Sequence, residues 1–157
     1  MAGTAASFRL IGHGFRVLPA GIDLQPTASG TWTDTGLEVV LPAAGTYHLD
    51  AVVRGNLHCD TPVNAWIGAR LFDVTAGAVI PASELLVYQI SLQVSPATSN
   101  VAEAGNQSGT ISIPYTVPGP RTVRLQVVRV NSVGSAAIAR VLSDVNGRTT
   151  LRYERVA

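Results

Sequence analysis

Alternation of apolar and polar residues is the feature of this chain that most restricts its fold. Residues 47–53 are apolar at every second position, and the same period of two recurs in residues 63–72, 84–94, 109–117 and 121–130. A period of two is typical of a β-strand with one buried face, whereas an amphipathic helix shows a period of 3.6 residues. No stretch has a convincing helical period, so the sequence predicts an all-β chain without significant helix.

Turn-forming residues separate the alternating stretches at intervals of roughly eight to fifteen residues, and residues 95–108 are interpreted as a long polar loop. This spacing predicts at least eight strands in an antiparallel β-sandwich or barrel. Two architectures remain open at this point, a jelly roll and an immunoglobulin-like sandwich. The chain has a single cysteine, so the Cys…Trp…Cys spacing of immunoglobulin domains is absent.

The end of the chain, residues 119–157, is predicted to form three consecutive strands at residues 121–130, 135–143 and 148–156. The dipeptide Asn146-Gly147 predicts a hairpin between the last two strands, because both residues tolerate the positive φ of a tight turn. The C-terminus is therefore predicted to be a strand.

The strand predicted at residues 121–130 is apolar on both faces near its end. Every second residue in 123–127 belongs to one apolar face, and Val128 and Val130 make the second face apolar as well. A strand of this kind must be covered on both sides. One cover is the opposite sheet, and the sequence predicts that the other is a neighbouring subunit.

The composition of the 157-residue chain is poor in charge. Charged residues make up 13% of the chain, against about a quarter in typical soluble domains, and the mean hydropathy is +0.28. No apolar run reaches the ~20 residues that span a bilayer, so the excess apolar surface is predicted to meet protein and not membrane. The length predicts one domain, the N-terminus shows no secretory signal, and oligomerisation is expected.

The charge distribution argues against nucleic acid as a partner. The net charge is +1 and the basic residues are scattered, whereas a phosphate-binding surface needs clustered cations. All eleven basic residues are arginine, which is typical of a GC-rich coding source such as an actinobacterium or its phage.

Residues 1–30 are predicted to form an N-terminal arm and a first strand, and residues 31–157 the sandwich domain. Gly12-His13-Gly14 is interpreted as a flexible link, with the first strand at residues 15–18 and a loop at residues 19–30. Such an arm can lie away from the core and hold a partner. Its candidate capsid-contacting residues are Phe8, Arg9, His13, Phe15 and Arg16.

Two histidine-containing clusters are candidates for chemistry. His58-Cys59-Asp60 would need further metal ligands or a base near the thiol, so a polar loop in which Cys59 tolerates substitution is the preferred interpretation. His48 and Asp50 share one face of a strand, where a serine could complete a hydrolytic triad. The Gly-x-Ser-x-Gly motif is absent, and a solvated or intersubunit face is the preferred interpretation.

The segment Asp144-Val145-Asn146-Gly147 begins like a calcium-binding loop. It lacks the distal glutamate and the flanking helices of such a loop, and a hairpin turn accounts for its composition. The sequence therefore predicts no catalytic, cofactor-binding or metal-binding residue.

Five aromatic residues leave two interpretations open. They can form a sugar-stacking platform or act as core and interface anchors, and the second is preferred because aromatic residues on sandwich strands more often pack than bind ligand. These residues are Trp32, Trp66, Tyr88, Tyr115 and Tyr153.

The segment from Thr31 to Val156 resembles the tumour necrosis factor-like jelly roll, which includes complement-type globular heads. A Thr/Trp run, a glycine, a short apolar strand and a long alternating strand follow in a similar order, and Pro42, Gly45 and Tyr47 match the family's P-x-x-G-x-Y element. The resemblance implies a compact threefold trimer. Its contacts would use the sheet that holds the first and last strands, with the last strand near the axis.

This resemblance implies which residues lie between subunits. Tyr153 is the preferred axial residue, and a role in the protomer core is the open alternative. The predicted subunit-interface residues are Tyr153, Leu151, Arg155, Val128, Val130 and Tyr115.

The function predicted from the composition and the resemblance is non-enzymatic. Phage virions use this fold for capsid decoration proteins and fibre tips, so the resemblance implies a trimeric decoration protein that binds the major capsid protein. Its location would be the virion, after synthesis in the cytoplasm of a bacterial host. The alternative is a receptor- or carbohydrate-binding tip of a tail fibre, whereas a cupin-type enzyme would need a His/Glu ligand motif that the chain lacks.

Overall fold

The computed structural model describes residues 12–93 and 101–157 of the chain. These ranges contain strands and no helix, which confirms the all-β prediction, and they accordingly contain no helix that could cross a membrane. The strands are β1 (His13–Val17), β2 (Ile22–Asp23), β3 (Trp32–Leu41), β4 (Gly45–Asp60), β5 (Val63–Asp73), β6 (Ala78–Val79), β7 (Leu85–Leu92), β8 (Ala102–Val117), β9 (Arg121–Val133), β10 (Ala136–Leu142) and β11 (Thr150–Arg155).

The strands form two antiparallel sheets that pack into a jelly-roll-like β-sandwich, as the sequence predicts. In sheet I, β4 pairs with β8 along one edge and with β11 and β10 along the other, and β1 and β2 continue the sheet beyond β11 and β10. In sheet II the order is β3-β9-β5, with β7 and β6 along the far edge of β5. The first and last strands are therefore neighbours in sheet I.

The core lies between the inner faces of β4 and β5, whose alternating residues the sequence identified. Four of the inward residues that the sequence identified on each strand have no exposed surface. Burial of each larger side chain contributes about 1.5–3 kcal/mol relative to an exposed position. The residues are Tyr47, Leu49, Ala51 and Val53 on β4 and Ala65, Ile67, Ala69 and Leu71 on β5.

The predicted hairpin between the last two strands is wrong. Both β10 and β11 pair with β4, with Leu142 opposite Arg54 and Thr150 opposite Val52. The two strands thus form one interrupted partner for the 16-residue β4, and residues 143–149 leave the sheet between them. Pairing with β4 places the buried residues of both strands, such as Val141 and Leu151, against the shared core.

The predicted polar loop at residues 95–108 is wrong for its second half. Residues 102–108 belong to β8 and pair with residues 54–60 of β4. This segment forms an outer edge of sheet I and is largely exposed, so neither face needs apolar residues. The alternation that identifies a half-buried strand is therefore absent there.

The interpretation of Gly12-His13-Gly14 as a flexible link is also wrong, because β1 begins at His13. Gly14 lies against the ring of Tyr153, where an added Cβ would be 2.3 Å from a ring carbon. The glycine is thus a packing residue, and it lets β1 lie close to β11.

The predicted single face of β7 is interrupted by a β-bulge. Its register against β5 shifts between Ile67 and Gly68, so Val87 and Ile90 are buried whereas Leu86 is 55% exposed. Leu86 therefore joins the outer face of sheet II, although the period of two placed it with Ile90.

Candidate functional site

His48, Asp50 and Ser112 meet on the outer face of sheet I, where β4 and β8 are paired. The Ser112 hydroxyl donates to Oδ1 of Asp50 at 2.6 Å, and Nε2 of His48 lies 2.9 Å from Ser112 Oγ and 3.5 Å from Asp50 Oδ1. Arg152 on β11 donates from Nε to the other carboxylate oxygen at 2.9 Å. The structure thus brings a serine to the two residues for which the sequence left a triad open.

The geometry of this cluster differs from that of a hydrolytic triad. In a triad the serine hydroxyl donates to one ring nitrogen of the histidine, and the carboxylate accepts from the other. Here the Ser112 hydroxyl donates to Asp50, and both Ser112 and Asp50 lie near the same ring nitrogen of His48, Nε2. Partial burial opposes ionisation of Asp50, but the Ser112 hydrogen bond and the Arg152 charge outweigh it and lower the pKa of the carboxyl. Such a carboxylate is a weak base, so the cluster links three strands without activating Ser112.

The Asp144 turn, residues 144–147, is held by Arg54 of β4. Its guanidinium donates from Nη1 to Asp144 Oδ1 at 3.0 Å and to the Gly147 carbonyl at 2.7 Å. A hydrogen bond from the Asn146 backbone and the Arg54 pair lower the pKa of Asp144. The Arg54 guanidinium therefore already neutralises the carboxylate that gave this segment its likeness to a calcium loop.

Cys59 lies in the core and not in a loop, which corrects the interpretation of His58-Cys59-Asp60. The three residues end β4, and Cys59 has no exposed surface. Burial raises the pKa of its thiol, and the charges of Asp60 and Glu103 add to the effect. Within residues 12–93 and 101–157 no three histidine, cysteine or carboxylate side chains converge as metal ligands.

The six residues predicted at a subunit interface do not lie on one surface. Leu151 faces the core with no exposed surface, and Tyr153 packs edge-on against Tyr47 at 5.6 Å between ring centroids. Val128 and Val130 lie on the outer face of sheet II. Their role between subunits stays a prediction.

Tyr115, another predicted interface residue, uses its hydroxyl inside the chain. It donates to Oδ2 of Asp73 at 2.6 Å, and the Asp73 side chain is only 2% exposed. Burial and the bond to this carboxylate raise the pKa of Tyr115 to about 12. The pair ties β8 of sheet I to the end of β5 in sheet II.

The predicted arm residues that the structure describes lie on β1. His13, Phe15 and Arg16 are exposed there, with Phe15 at 54%, whereas Phe8 and Arg9 lie outside the described residues. Within the described part of the chain, β1 pairs only with β11. Among the described residues, sheet I therefore ends in a strand with an exposed apolar side chain and one edge that no other described strand pairs with.

A groove on the outer face of sheet II contains both tryptophans of the chain. Trp32, Val128 and Gly68 lie side by side on three adjacent strands, with Leu86 next in the row, and Trp66 pairs with Val130 in the following row. Gly68 has no side chain and forms the floor. The groove has a volume of about 320 Å³, and we call it the tryptophan groove; its lining residues are Gly30, Trp32, Trp66, Gly68, Glu84, Leu85, Leu86, Val128 and Val130.

Charged side chains border the tryptophan groove on one side. The Arg70 guanidinium lies 4.0 Å from the centroid of Trp32, and its Nε donates to Gln126 at 2.8 Å. Its Nη1 is 3.7 Å from Glu84, whose side chain is 63% exposed. Of the residues at this groove, the sequence predicted a binding role only for the two tryptophans, and it did not predict one for Gly68, Arg70, Glu84 or Leu86. The available signal was the position of Trp66 on a strand face that is otherwise polar.

The other three aromatic residues of the predicted platform lie elsewhere. Tyr115 bonds to Asp73, Tyr153 packs on Tyr47, and Tyr88 lies partly buried against the core with its hydroxyl close to Gly105. The structure therefore brings together two of the five aromatic residues.

Comparison with known proteins gives structural likeness only. No protein-family model matches the chain, and no curated protein matches it. Among solved structures, a mutant VP2 protein of infectious bursal disease virus in T=1 particles is 13% identical, with a TM-score of 0.48 over 99% of this chain and 34% of that one. A VP2 subviral particle of the same virus is 13% identical, with a TM-score of 0.44 over 100% of this chain and 40% of that one. The chain thus spans between a third and two fifths of these proteins.

Proposed function

We propose that the chain is a non-enzymatic structural protein of a phage virion, which forms a homotrimer and decorates the shell by binding its major capsid protein. The observation that carries this proposal is the exposed apolar edge of sheet I at β1. The low charge content and positive mean hydropathy of the chain support it, because apolar surface in excess is used for contacts with protein.

The β1 edge has the properties of a docking strand. Phe15 is 54% and Val17 38% exposed, and β11 occupies only one edge of the strand. The backbone N–H and C=O groups of a free edge can pair with a strand of another chain, and exposed apolar side chains add to such a contact. The polar neighbours His13 and Arg16 would then determine the partner's orientation.

The trimer contact is proposed next to this edge, in the sheet that contains the first and last strands. Tyr153 and Arg155 of β11 are partly exposed beside β1, on the core-facing side of sheet I, whereas Phe15 and Val17 lie on its outer side. A neighbour that reaches all four would contact both sides of this edge. Leu151 is fully buried in the core, so it would not touch a neighbour and would affect the contact only by holding β11 in place. An obligate contact of this kind buries roughly 2,000 Å² or more in total.

Sedimentation of a matched set of variants tests the role of the β1 edge. We expect the native chain to sediment as a trimer at micromolar concentration and Phe15→Asp/Val17→Asp to sediment as a folded 16.4 kDa monomer. Val40→Asp is the control, because Val40 is 59% exposed on β3, an edge strand of sheet II. A monomeric native chain, or equal effects of the two changes, would contradict the proposal.

Electron microscopy of the virion tests the location. Density for the protein at threefold positions of the capsid is expected, and it should be missing from shells assembled without the chain. Density confined to the tail would rule out decoration and leave the tail-fibre alternative.

A further inference from the structure

The tryptophan groove has the size and composition of a small-ligand site. Its volume of about 320 Å³ lies at the lower end of the ~300–1,000 Å³ typical of such sites. Nine residues line it, against the ~20–30 residues on each side of a standard protein interface. The groove is therefore large enough for a small ring-shaped ligand and too small to be a protein interface by itself.

We propose that the tryptophan groove binds a neutral hexopyranose unit of a carbohydrate. This site is independent of the trimer contact at β1 and of the virion location, and failure of either would not affect it. The proposal rests on three observations: the two indole rings, the glycine floor between them, and the charged border.

The indole rings match the C–H face of a pyranose ring. Trp32 and Trp66 are each partly exposed and line the groove, and the Arg70 guanidinium covers one face of the Trp32 ring. Trp66 is therefore the ring assigned to the face of the sugar, with Trp32 and Arg70 beside it. A pyranose ring is apolar on its faces and polar at its edge, which an aromatic ring with a polar neighbour complements. A purely aliphatic ligand would use the rings but leave the adjacent charges without a role.

Gly68 gives the ligand access to the floor of the groove. A Cβ at this position would lie 3.0 Å from Val128 Cγ1 and 3.8 Å from the Trp32 ring. A side chain here would thus press on Val128 and approach the Trp32 ring, and it would narrow the groove. The groove exists because a central strand of sheet II carries glycine opposite Val128.

The charged border supplies hydrogen-bonding groups for hydroxyls. Arg70 is fixed by its stacking on Trp32 and its bond to Gln126, so it is pre-organised at the border of the groove. Glu84 is mostly exposed and its pair with Arg70 is long at 3.7 Å, so its carboxylate can accept from a hydroxyl without breaking a tight ion pair. Arg70 and Glu84 carry opposite charges 3.7 Å apart, so the border has no net charge, which is why the ligand is assigned as neutral.

Intrinsic fluorescence gives a direct test, since both tryptophans of the chain line the groove. The full-length protein is titrated separately with maltotriose, cellotriose, mannotriose and galactobiose, and affinities are confirmed by calorimetry. We expect a saturable change with at least one of these probes, with a dissociation constant in the millimolar range or below. No response to any probe would overturn the proposal.

Three variants locate the binding. Trp66→Ala should weaken it about tenfold or more, and Glu84→Ala, on an exposed side chain that folding does not require, should weaken it several-fold. The aromatic control Tyr88→Phe, which lies outside the groove lining, should bind as the native protein does. Equal affinity of Glu84→Ala and the native protein would overturn the proposed border contact, and with it the site.

Occupation of the groove by a second copy of the chain is a separate outcome. In that case the tryptophan emission would change with protein concentration in the absence of sugar, and the sugars would produce no further change. This result would also overturn the proposal.

Discussion

The hydrogen bond between Tyr115 and Asp73 is expected to contribute measurably to stability, and Tyr115→Phe removes it with little change in shape. The bond is 2.6 Å long and its acceptor is a carboxylate that is 2% exposed. Hydrogen bonds to charged groups contribute about 1.5–3 kcal/mol. After the substitution Asp73 keeps the Ala76 backbone N–H at 2.8 Å and Arg121 at 3.7 Å, so we expect a loss of about 2 kcal/mol.

Urea denaturation measures this loss, and thermal unfolding should follow it. For a chain of 157 residues a loss of about 2 kcal/mol corresponds to a melting temperature lower by roughly 4–8 °C. Tyr88→Phe is the matched control, because it removes the hydroxyl of another partly buried tyrosine. A change below ~0.5 kcal/mol for Tyr115→Phe would refute the argument, since surface substitutions reach that size.

The pH dependence gives a second, independent readout of the same bond. The pKa of Tyr115 is raised to about 12 in the folded protein, above the ~10 of an unfolded tyrosine. Its contribution to stability is therefore complete below pH ~10 and is lost as the pH rises towards ~12. The pKa of Tyr88 is raised as well, so absorbance titration of Tyr115→Phe should show one late phenol ionisation fewer than that of the native protein; equal titrations would contradict the assignment.

Three further predictions concern single side chains. Arg54→Ala should speed hydrogen exchange in residues 143–149 and lower the melting temperature, because it removes both contacts of Arg54 with the Asp144 turn. The control is Arg152→Ala, which should leave both nearly unchanged because the Arg152 side chain is 65% exposed. Slow exchange in the Arg54 variant would show that the Asp144 turn is stable without Arg54. Because the pKa of Asp144 is lowered, this Arg54 contribution should be present at neutral pH and lost as the pH falls through that lowered pKa. Cys59→Ser should cost about 1–3 kcal/mol in urea denaturation, because it places a hydroxyl in the core; a cost near zero would mean that the site admits water. Tyr153→Ala should lower the melting temperature, because it removes the contact with Tyr47. If β11 lies at the trimer contact, the variant should also shift from trimers towards monomers in sedimentation. A variant with the native melting temperature and the native assembly would exclude both the core role and the interface role of Tyr153.

The sequence by itself determined which faces of the long strands are inside. Tyr47, Leu49 and Ala51 alternate with polar residues, so they all lie on one face of the strand. When one face of a sheet is buried and the other is exposed to solvent, that apolar face must be the buried one. The strand identity of most of the chain and the all-β class follow from this local pattern. The position of Trp66 on a face that is otherwise polar was likewise visible in the sequence.

Only the tertiary structure decided which strands and side chains meet. The Asn146-Gly147 signal indicated a turn correctly but not the pairing of the strands on either side of it. Both β10 and β11 pair with the 16-residue β4, which is long enough to take both along one edge. Ser112 reaches His48 from 64 residues away, and Asp73 reaches Tyr115 from 42. Such contacts depend on register between strands distant in sequence, on which local periodicity carries no information.

In the tryptophan groove, too, the sequence determined the residue types and the tertiary structure determined which of them meet. Trp32 and Trp66 come from different strands and meet only because β9 lies between β3 and β5, with Val128 opposite both Trp32 and Gly68. The bulge at Val87 then turns Leu86 outward to complete the groove. The sequence supplies the tryptophans, the glycine and the charged residues. The order and register of the strands in sheet II bring them together at one site.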